Sequence, residues 1–332
     1  MKVKLTLFLL LISLTLITQT ACQGKSEGQN TGGTPSLTET EISTEMEDDS
    51  SAAKETATSD STNGKVGADK EQSVIAEFET LLSAQDVKLM DVLSFLDENI
   101  SYLSKINATN ILLTLEDLQV KQRLALEEKF YPQEIIKVLQ EASLAGKDYN
   151  DPNTFTDSAV AELVQETVDS GYKIDQAEGM YFPVINYSIY LPLTDFISDD
   201  IKEYFIIMDI ESGKIFAKDA ALMITWDDVV ARALKTKEYL SKYQDSERFA
   251  EVEELYQRYL TISLLGLNNT PLFDYETNSM NQDAKSAYET LLSKKKSSEY
   301  FSILEGFMKV VKDNSYKLTD EVEQYRNQTL KK

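Results

Sequence analysis

The side chains of this 332-residue chain that could do chemistry are mainly acidic, because it contains no histidine and a single cysteine. Without histidine, the chain cannot form the Ser-His-Asp or Cys-His arrangements of hydrolases, or a zinc site with histidine ligands. Carboxylate acid–base chemistry, lysine chemistry and the binding of hard cations through oxygen remain open. The sequence nominates no catalytic residue and implies no cofactor, so it favours a binding protein over an enzyme.

Two acidic segments have the composition of calcium-binding loops. An EF-hand loop needs oxygen ligands at positions 1, 3 and 5, glycine at position 6 and glutamate at position 12. In the segment that starts at Asp148, Pro152 occupies position 5. In the segment that starts at Asp274, Ser279 replaces the glycine and Lys285 replaces the glutamate. Both segments are therefore predicted to be Asx turns ahead of helices, and no metal site is predicted.

The lone cysteine, Cys22, follows a short apolar segment near the N-terminus. Two lysines precede residues 5–17, which are almost entirely apolar, and the small residues Thr20 and Ala21 stand just before the cysteine. The apolar segment has the length of a signal-peptide core and is shorter than the roughly 20 residues of a membrane-spanning helix. This pattern resembles the lipobox signal peptide of bacterial lipoproteins, which is cleaved before an invariant cysteine.

The resemblance implies that residues 1–21 are removed and that Cys22 receives a diacylglyceryl group and becomes the mature N-terminus. Several acyl chains hold a protein firmly, because each buried methylene contributes roughly 0.8 kcal/mol. We therefore expect the protein outside the cytoplasm, with the cell membrane as its partner through the lipid on Cys22. The alternative is an ordinary secretory signal with an incidental cysteine.

The chain is strongly acidic, with a formal net charge of −23. Loss of the signal peptide, which carries two lysines and no acid, would bring this charge to −25. Phosphate backbones and anionic head groups repel such a surface, so no nucleic-acid binding is predicted. The one basic run, residues 294–296, is bounded by serines and is interpreted as a solvated loop.

Residues 22–70 are predicted to be a disordered linker behind the lipidated cysteine. Serine, threonine, glutamate and glycine dominate the segment, which has no aromatic residue. Such a composition buries too little apolar area to offset the entropy lost on ordering. The linker is interpreted as a spacer that carries the following domain through or above a layer of the envelope.

Residues 71–332 are predicted to form a mainly α-helical globular domain with a candidate sub-boundary near 146–156. Apolar residues recur at helical spacing through most of it. Residues 172–175 alternate, Glu178-Gly179 is a turn signal and residues 180–185 favour a strand, which together predict a small β-hairpin near residues 172–190. The aromatic residues crowded there are interpreted as core and a half-exposed strand face, and a ligand-stacking cleft is the alternative. They are Tyr172, Tyr181, Phe182, Tyr187 and Tyr190.

A helical hairpin is predicted between Thr225 and Leu267. Thr225 and Asp228 have the spacing of a capping box, and apolar residues then mark one face of each helix. The segment around residues 238–256 resembles the helix-turn-helix of tetratricopeptide-like repeats in envelope lipoproteins. No second copy follows at that period, so the resemblance implies one repeat-like hairpin inside a helical-hairpin bundle or an irregular solenoid-like fold.

Three functions are open to such a chain. The tether, the spacer and the helical domain favour a binding or interaction module of the cell envelope, with an envelope protein or polymer as its partner. A solute-binding lipoprotein of a transporter is one alternative, although that class usually alternates strands and helices in two lobes. A hydrolase of envelope polymers that uses two carboxylates is another.

The variant Cys22→Ser should remove the lipid and release the protein from the membrane fraction. The physical reason is that the acyl chains would be the only anchor predicted for the mature chain. Cell fractionation with a palmitate label tests this, with Ser26→Ala as a control that should stay lipid-labelled. A Cys22→Ser protein that remains labelled and membrane-bound would contradict the prediction.

Overall fold

The computed structural model describes residues 60–84, 87–294 and 297–331. This part of the chain is mainly α-helical, with three antiparallel sheets of two strands each, which confirms the predicted fold class. The helices are α1 (Asp60–Leu82), α2 (Leu89–Asn99), α3 (Lys105–Glu127), α4 (Gln133–Leu144), α5 (Ser158–Asp169), α6 (Asp199–Gly213), α7 (Trp226–Lys242), α8 (Phe249–Leu265), α9 (Gln282–Ser293), α10 (Glu299–Asp313) and α11 (Asp320–Leu330). The strands are β1 (Tyr172–Ala177), β2 (Met180–Ile185), β3 (Ala217–Lys218), β4 (Ala221–Leu222), β5 (Gly266–Leu267) and β6 (Thr270–Pro271).

The predicted apolar faces of the first helices are buried. Val74 and Phe78 lie one turn apart on α1, and both are buried. Leu89, Val92 and Leu96 repeat this spacing on α2. Residues three or four positions apart share one face of a helix, so this spacing lets each helix bury a single stripe. The buried apolar residues form one contiguous cluster, which extends along the chain from α1 to α11.

Local signals set several helix ends. The Asp157 side chain accepts hydrogen bonds from the first backbone N–H groups of α5. Pro132 precedes α4, and Gly146 follows it with a φ of 67°. Ser198 stands before α6, but its side chain makes no capping hydrogen bond to the helix backbone.

The predicted β-hairpin is formed by β1 and β2. Glu178 and Gly179 both have positive φ and make the turn. Pro183 of β2 stands opposite Ile174. Because the sheet has two strands, no third strand pairs with β2, and the missing N–H of the proline breaks no hydrogen bond on that outer side. The strand ends at Ile185, and the chain continues as a 3₁₀ helix, Tyr187–Phe196. The hairpin therefore occupies the first part of the predicted region, and the 3₁₀ helix occupies the rest.

The predicted hairpin of α7 and α8 begins with a complete capping box. The Thr225 hydroxyl accepts from the Asp228 backbone N–H, and the Asp228 carboxylate accepts from the Thr225 backbone N–H. Trp226, only 5% exposed, stands at the first turn of α7 and meets Tyr288 of α9 edge to face. α7 packs against α8 and α9 and contacts α6 and α10, so it is central to this half of the fold.

The loop between α8 and α9 returns to the core. Leu272 and Phe273 are buried, and Phe273 meets Phe307 of α10 edge to face. The short pairs β3–β4 and β5–β6 are not foreseen from the sequence. They are joined by a hydrogen bond from the Asn269 backbone N–H to the Ala220 carbonyl.

Helix α1 begins ten residues before the predicted end of the linker. Residues 22–59, and with them Cys22 and the signal peptide, lie outside the described residues. Lys70, the last residue of the predicted linker, places its ammonium 5.0 Å from the centre of the Tyr102 ring. The Glu71 carboxylate accepts from the Ser104 backbone N–H and the Asn107 side chain. The domain therefore begins before residue 71. The contacts that hold this part of α1 are polar, so they leave no apolar pattern in the sequence.

Trp226→Ala should destabilise the domain by about 3–5 kcal/mol, because it removes a large buried side chain. Urea unfolding followed by circular dichroism measures the loss. The exposed residue Tyr275 offers a control, and Tyr275→Ala should change the free energy of unfolding by less than about 0.5 kcal/mol. In the unsubstituted protein the single tryptophan should emit at short wavelength and resist iodide. Red-shifted, readily quenched emission would contradict its burial.

Candidate functional site

A groove of about 920 Å³ lies beside helix α3. The end of α1 and the start of α2 form one side, the second half of α3 forms the base, and the end of α5 forms the other side. The part of the lining that is apolar or uncharged is Leu82, Ala84, Val87, Leu89, Met90, Leu118, Gln122, Ala125, Leu126, Gln165, Ser170 and Tyr172. Three lysines and two acids complete it, so the groove combines an apolar surface with charges.

One hydrogen bond ties the segment before α2 to α3 at the edge of the groove. The Gln122 side chain on α3 donates to the Val87 carbonyl at 3.0 Å. Lys88 follows Val87 and Lys121 precedes Gln122, and both lysines line the groove. Neither lysine forms an ion pair with any residue that the structure describes.

The opposite side carries the two acids, and both are engaged. Lys129 of α3 donates to both oxygens of Glu166 on α5, at 2.6 and 2.8 Å. Asp169 accepts from the Gln165 side chain at 2.7 Å. Both acids of the lining thus come from one helix, one turn apart, and they do not face each other across the groove.

Gly171 holds α5 against α3 below the groove. Its φ is +76°, and a Cβ at this position would lie 2.6 Å from both the Gln119 amide nitrogen and the Ile189 Cδ1. The same amide donates to the carbonyls of Ser170 and Gly171, at 3.1 and 3.2 Å. The Tyr172 hydroxyl then donates to the Gln119 carbonyl at 2.6 Å. These contacts fix the spacing of the two walls.

A buried carboxylate, Glu116, lies about one turn before Gln119 on α3 and is 2% exposed. One of its oxygens accepts from the hydroxyls of Tyr187, at 2.7 Å, and Tyr204, at 2.5 Å. The other accepts from the Arg248 guanidinium, through Nε at 3.0 Å and Nη2 at 2.9 Å. Arg248 also contacts Asp117 at 2.9 Å. The three partners of Glu116 thus come from outside α3, whereas Asp117, the second partner of Arg248, lies on α3 itself.

Burial and charge shift the pKa values in this cluster. Burial raises the pKa of the Tyr187 and Tyr204 hydroxyls, and the Glu116 charge raises both further. Burial alone would lower the pKa of Arg248, but the charge and hydrogen bond of Glu116, together with Tyr204 and Asp117, outweigh burial and hold that pKa above its usual range. The tyrosines therefore stay protonated as donors and the arginine stays charged. With both oxygens bonded and its side chain buried, Glu116 is suited to hold the fold rather than to act on a substrate.

A second buried ion pair joins α6 to α7. Glu211 lies 3.2 Å from Arg232 and accepts from the Tyr259 hydroxyl at 2.5 Å. Burial raises the pKa of Glu211, while the hydrogen bond from Tyr259 and the charge of Arg232 oppose that rise. Arg232 also donates to the Lys214 carbonyl at 2.7 Å, so the network fastens the end of α6.

The residues singled out in the sequence do not assemble into one site. The two acidic loops form the predicted Asx turns, in which Asp148 accepts from the Asn150 backbone N–H and Asp274 accepts from that of Thr277. Within the described part of the chain, no group of three or more acidic, histidine or cysteine side chains forms a candidate metal site. Tyr172, Tyr181, Tyr187 and Tyr190 are buried and Phe182 is half-buried, as the interpretation of core and a half-exposed strand face predicts.

Sequence reasoning missed both the groove and the Glu116 cluster. Glu116 and Gln119 stand on the apolar stripe of α3 that also contains Leu112 and Leu115, and polar residues in such a stripe signal a buried network. Their partners outside α3 are 51 or more positions away along the chain. No local pattern identifies partners at such separations.

No family model, curated protein or solved structure matches this chain. Among the described residues, none of the helices combines the length and the apolar character that crossing a bilayer requires. The groove and its charges are therefore the features from which a function is inferred.

Arg248→Met should lower the free energy of unfolding by about 3–5 kcal/mol, because it leaves Glu116 charged and buried without its cation. Urea unfolding at pH 7 measures the change. The control Arg258→Met removes an exposed arginine that lies over the Phe216 ring, and should cost no more than about 1 kcal/mol. Adding Glu116→Gln to Arg248→Met should recover part of the loss. A double variant as unstable as the sum of the single variants would contradict the pairing.

Proposed function

We propose that this protein is a lipid-anchored, extracytoplasmic binding module of the cell envelope, and that the groove beside α3 is its binding site. The signal-peptide pattern and Cys22 support the tether, and the composition of the following residues supports a spacer. The groove is the observation that supports a binding function, because it combines an apolar lining with charged groups. Small-molecule sites typically have this character and a volume of roughly 300–1,000 Å³.

The groove also exposes apolar surface that the fold does not use. Met90, on its α2 side, is 42% exposed. Val120 and Leu124, one turn apart on α3, flank the groove residues Lys121 and Ala125 and are 56% and 62% exposed. A cluster of exposed apolar side chains around a concavity marks an interaction site more often than isolated ones do.

The same features support binding over the alternatives. A glycosidase places two carboxylates on opposite sides of the scissile bond. The groove acids Glu166 and Asp169 share one wall, and Glu166 is neutralised by Lys129. A transporter-linked solute-binding protein usually has two α/β lobes, whereas the described residues form two-stranded sheets only.

Filling the groove should abolish ligand binding without unfolding the domain. Ala125→Trp places a large side chain on the α3 wall at an exposed position, and should weaken binding of the neutral apolar dye N-phenyl-1-naphthylamine at least tenfold. The dye's fluorescence is titrated on the full chain carrying Cys22→Ser, which has no acyl chains of its own. Ala250→Trp, an exposed alanine on α8, is the matched control and should bind like the unsubstituted chain.

Equal dye binding by the Ala125→Trp and Ala250→Trp chains would place the apolar site elsewhere and contradict the proposal. Absence of dye binding by the unsubstituted chain would do the same.

A further inference from the structure

Arg326 of α11 is a buried arginine whose guanidinium makes no hydrogen bond to any residue that the structure describes. The residue is 8% exposed, and its Nε is fully buried without an acceptor. Its one ion-pair partner in the described part of the chain is Glu323, about one turn earlier on the same helix. The Glu323 carboxylate lies 3.7 Å from Nη2, which is too far for a hydrogen bond. Buried charges are normally paired and hydrogen-bonded, so this guanidinium lacks an acceptor that its burial requires.

Arg232 shows how the same fold satisfies a buried arginine. It is 7% exposed, and its guanidinium donates to the Tyr259 hydroxyl at 3.0 Å and to the Lys214 carbonyl at 2.7 Å. It also pairs with Glu211 at 3.2 Å. Arg326 is buried to nearly the same extent without any such bond. Burial lowers the pKa of Arg326 below its usual range, and the charge of its one partner offsets this only in part.

Packing holds the Arg326 guanidinium in place. Its Cζ lies 5.6 Å from the centre of the buried Phe273 ring, a contact that favours a cation but offers no lone pair to the N–H groups. Val322, one turn earlier on α11, is fully buried and fixes this face of the helix against the domain. Nε is the nitrogen that is both buried and unpaired, so the two Nη nitrogens keep contact with the surface. An acceptor from outside the chain would therefore bind at the Nη nitrogens.

The chemistry of this position favours a carboxylate as the missing acceptor. A guanidinium presents parallel N–H groups in one plane, and a carboxylate accepts two of them at once. A phosphate monoester carries about two negative charges at neutral pH, and the Glu323 carboxylate and the net charge of −23 repel the second charge. A neutral amide would leave the charge of Arg326 uncompensated. A group with a single negative charge and two oxygens in a plane fits best.

We propose that Arg326 is the centre of a second binding site, which takes a carboxylate group from a small organic acid or from the end of a peptide. Neither Arg326 nor Phe273 lines the groove beside α3, so this inference is independent of the proposed function of that groove. In the free protein the uncompensated charge costs stability. A bound carboxylate recovers that loss, because a ligand that binds only the folded state stabilises it.

Side-chain NMR of the full chain carrying Cys22→Ser and labelled with ¹⁵N-arginine tests the site directly. The five arginines give five Nε–H signals, and the signal that is missing from the Arg326→Met chain belongs to Arg326. Replacing chloride with acetate at constant ionic strength should shift this signal saturably and leave the others in place. N-acetyl-triglycine should act like acetate, whereas N-acetyl-triglycine amide should have no effect and phosphate a smaller one. Glu323→Gln should tighten acetate binding because it removes a competing carboxylate, and Glu79→Gln, on α1, is the matched control that should not.

Stability gives a second readout. Arg326→Met should leave the urea midpoint unchanged or raise it, because it removes an uncompensated charge and keeps an apolar side chain. Arg232→Met is the matched control and should lower the midpoint, since that arginine is equally buried but fully bonded. Acetate in place of chloride should raise the midpoint of the Cys22→Ser chain and leave that of the chain that also carries Arg326→Met unchanged.

Saturable shifts by acetate or by N-acetyl-triglycine support the inference, and the tighter ligand of the two distinguishes a small acid from a peptide end as the source. The inference is overturned by an Arg326 signal that acetate leaves in place, that the amide shifts equally, or that phosphate shifts more. An Arg326→Met chain as unstable as the Arg232→Met chain would also overturn it, because the guanidinium would then serve the fold. Dye binding in the groove is unaffected by any of these results.

Discussion

The buried carboxylate of Glu116 is the interaction on which the rest of the fold depends. A negative charge that is 2% exposed is stable only when donors surround it, and here they come from three separate segments. The Tyr187–Phe196 3₁₀ helix supplies one hydroxyl, α6 supplies another, and the link between α7 and α8 supplies Arg248. Each donor fixes its segment against α3, so this one side chain contributes to the contacts that join α3 to the later part of the domain.

Helix α3 has two roles on different faces. On one face, Glu116 and Gln119 find their hydrogen-bond partners inside the domain. Gln119 extends this network to Tyr190, Tyr172 and the end of α5. The face with Lys121 and Ala125 borders the groove. Because the inner face is held by hydrogen bonds of defined geometry, the outer face and the α5 wall keep a fixed spacing. A groove that is already ordered before a ligand binds loses little conformational entropy on binding.

The groove combines an apolar lining with three lysines and two acids, in a chain whose formal net charge is −23. The tether that we propose at Cys22 and the binding site that we propose beside α3 depend on different parts of the chain.

The sequence by itself determined the helical class of the domain and many of its local details. The apolar spacing on α1 and α2, the capping box at Thr225 and the turn at Glu178 depend on residues a few positions apart, and the structure confirms them. The sequence also carries the lipobox pattern at Cys22, which stays a prediction because it lies outside the described residues. Tertiary structure alone decided that α1 begins before residue 71, that β2 gives way to a 3₁₀ helix after Ile185, and that Glu116 meets Arg248. It also decided that α2, α3 and α5 enclose a groove. These features depend on side chains brought together from positions far apart in the chain, and local periodicity carries no information about which distant partner a buried polar group will find.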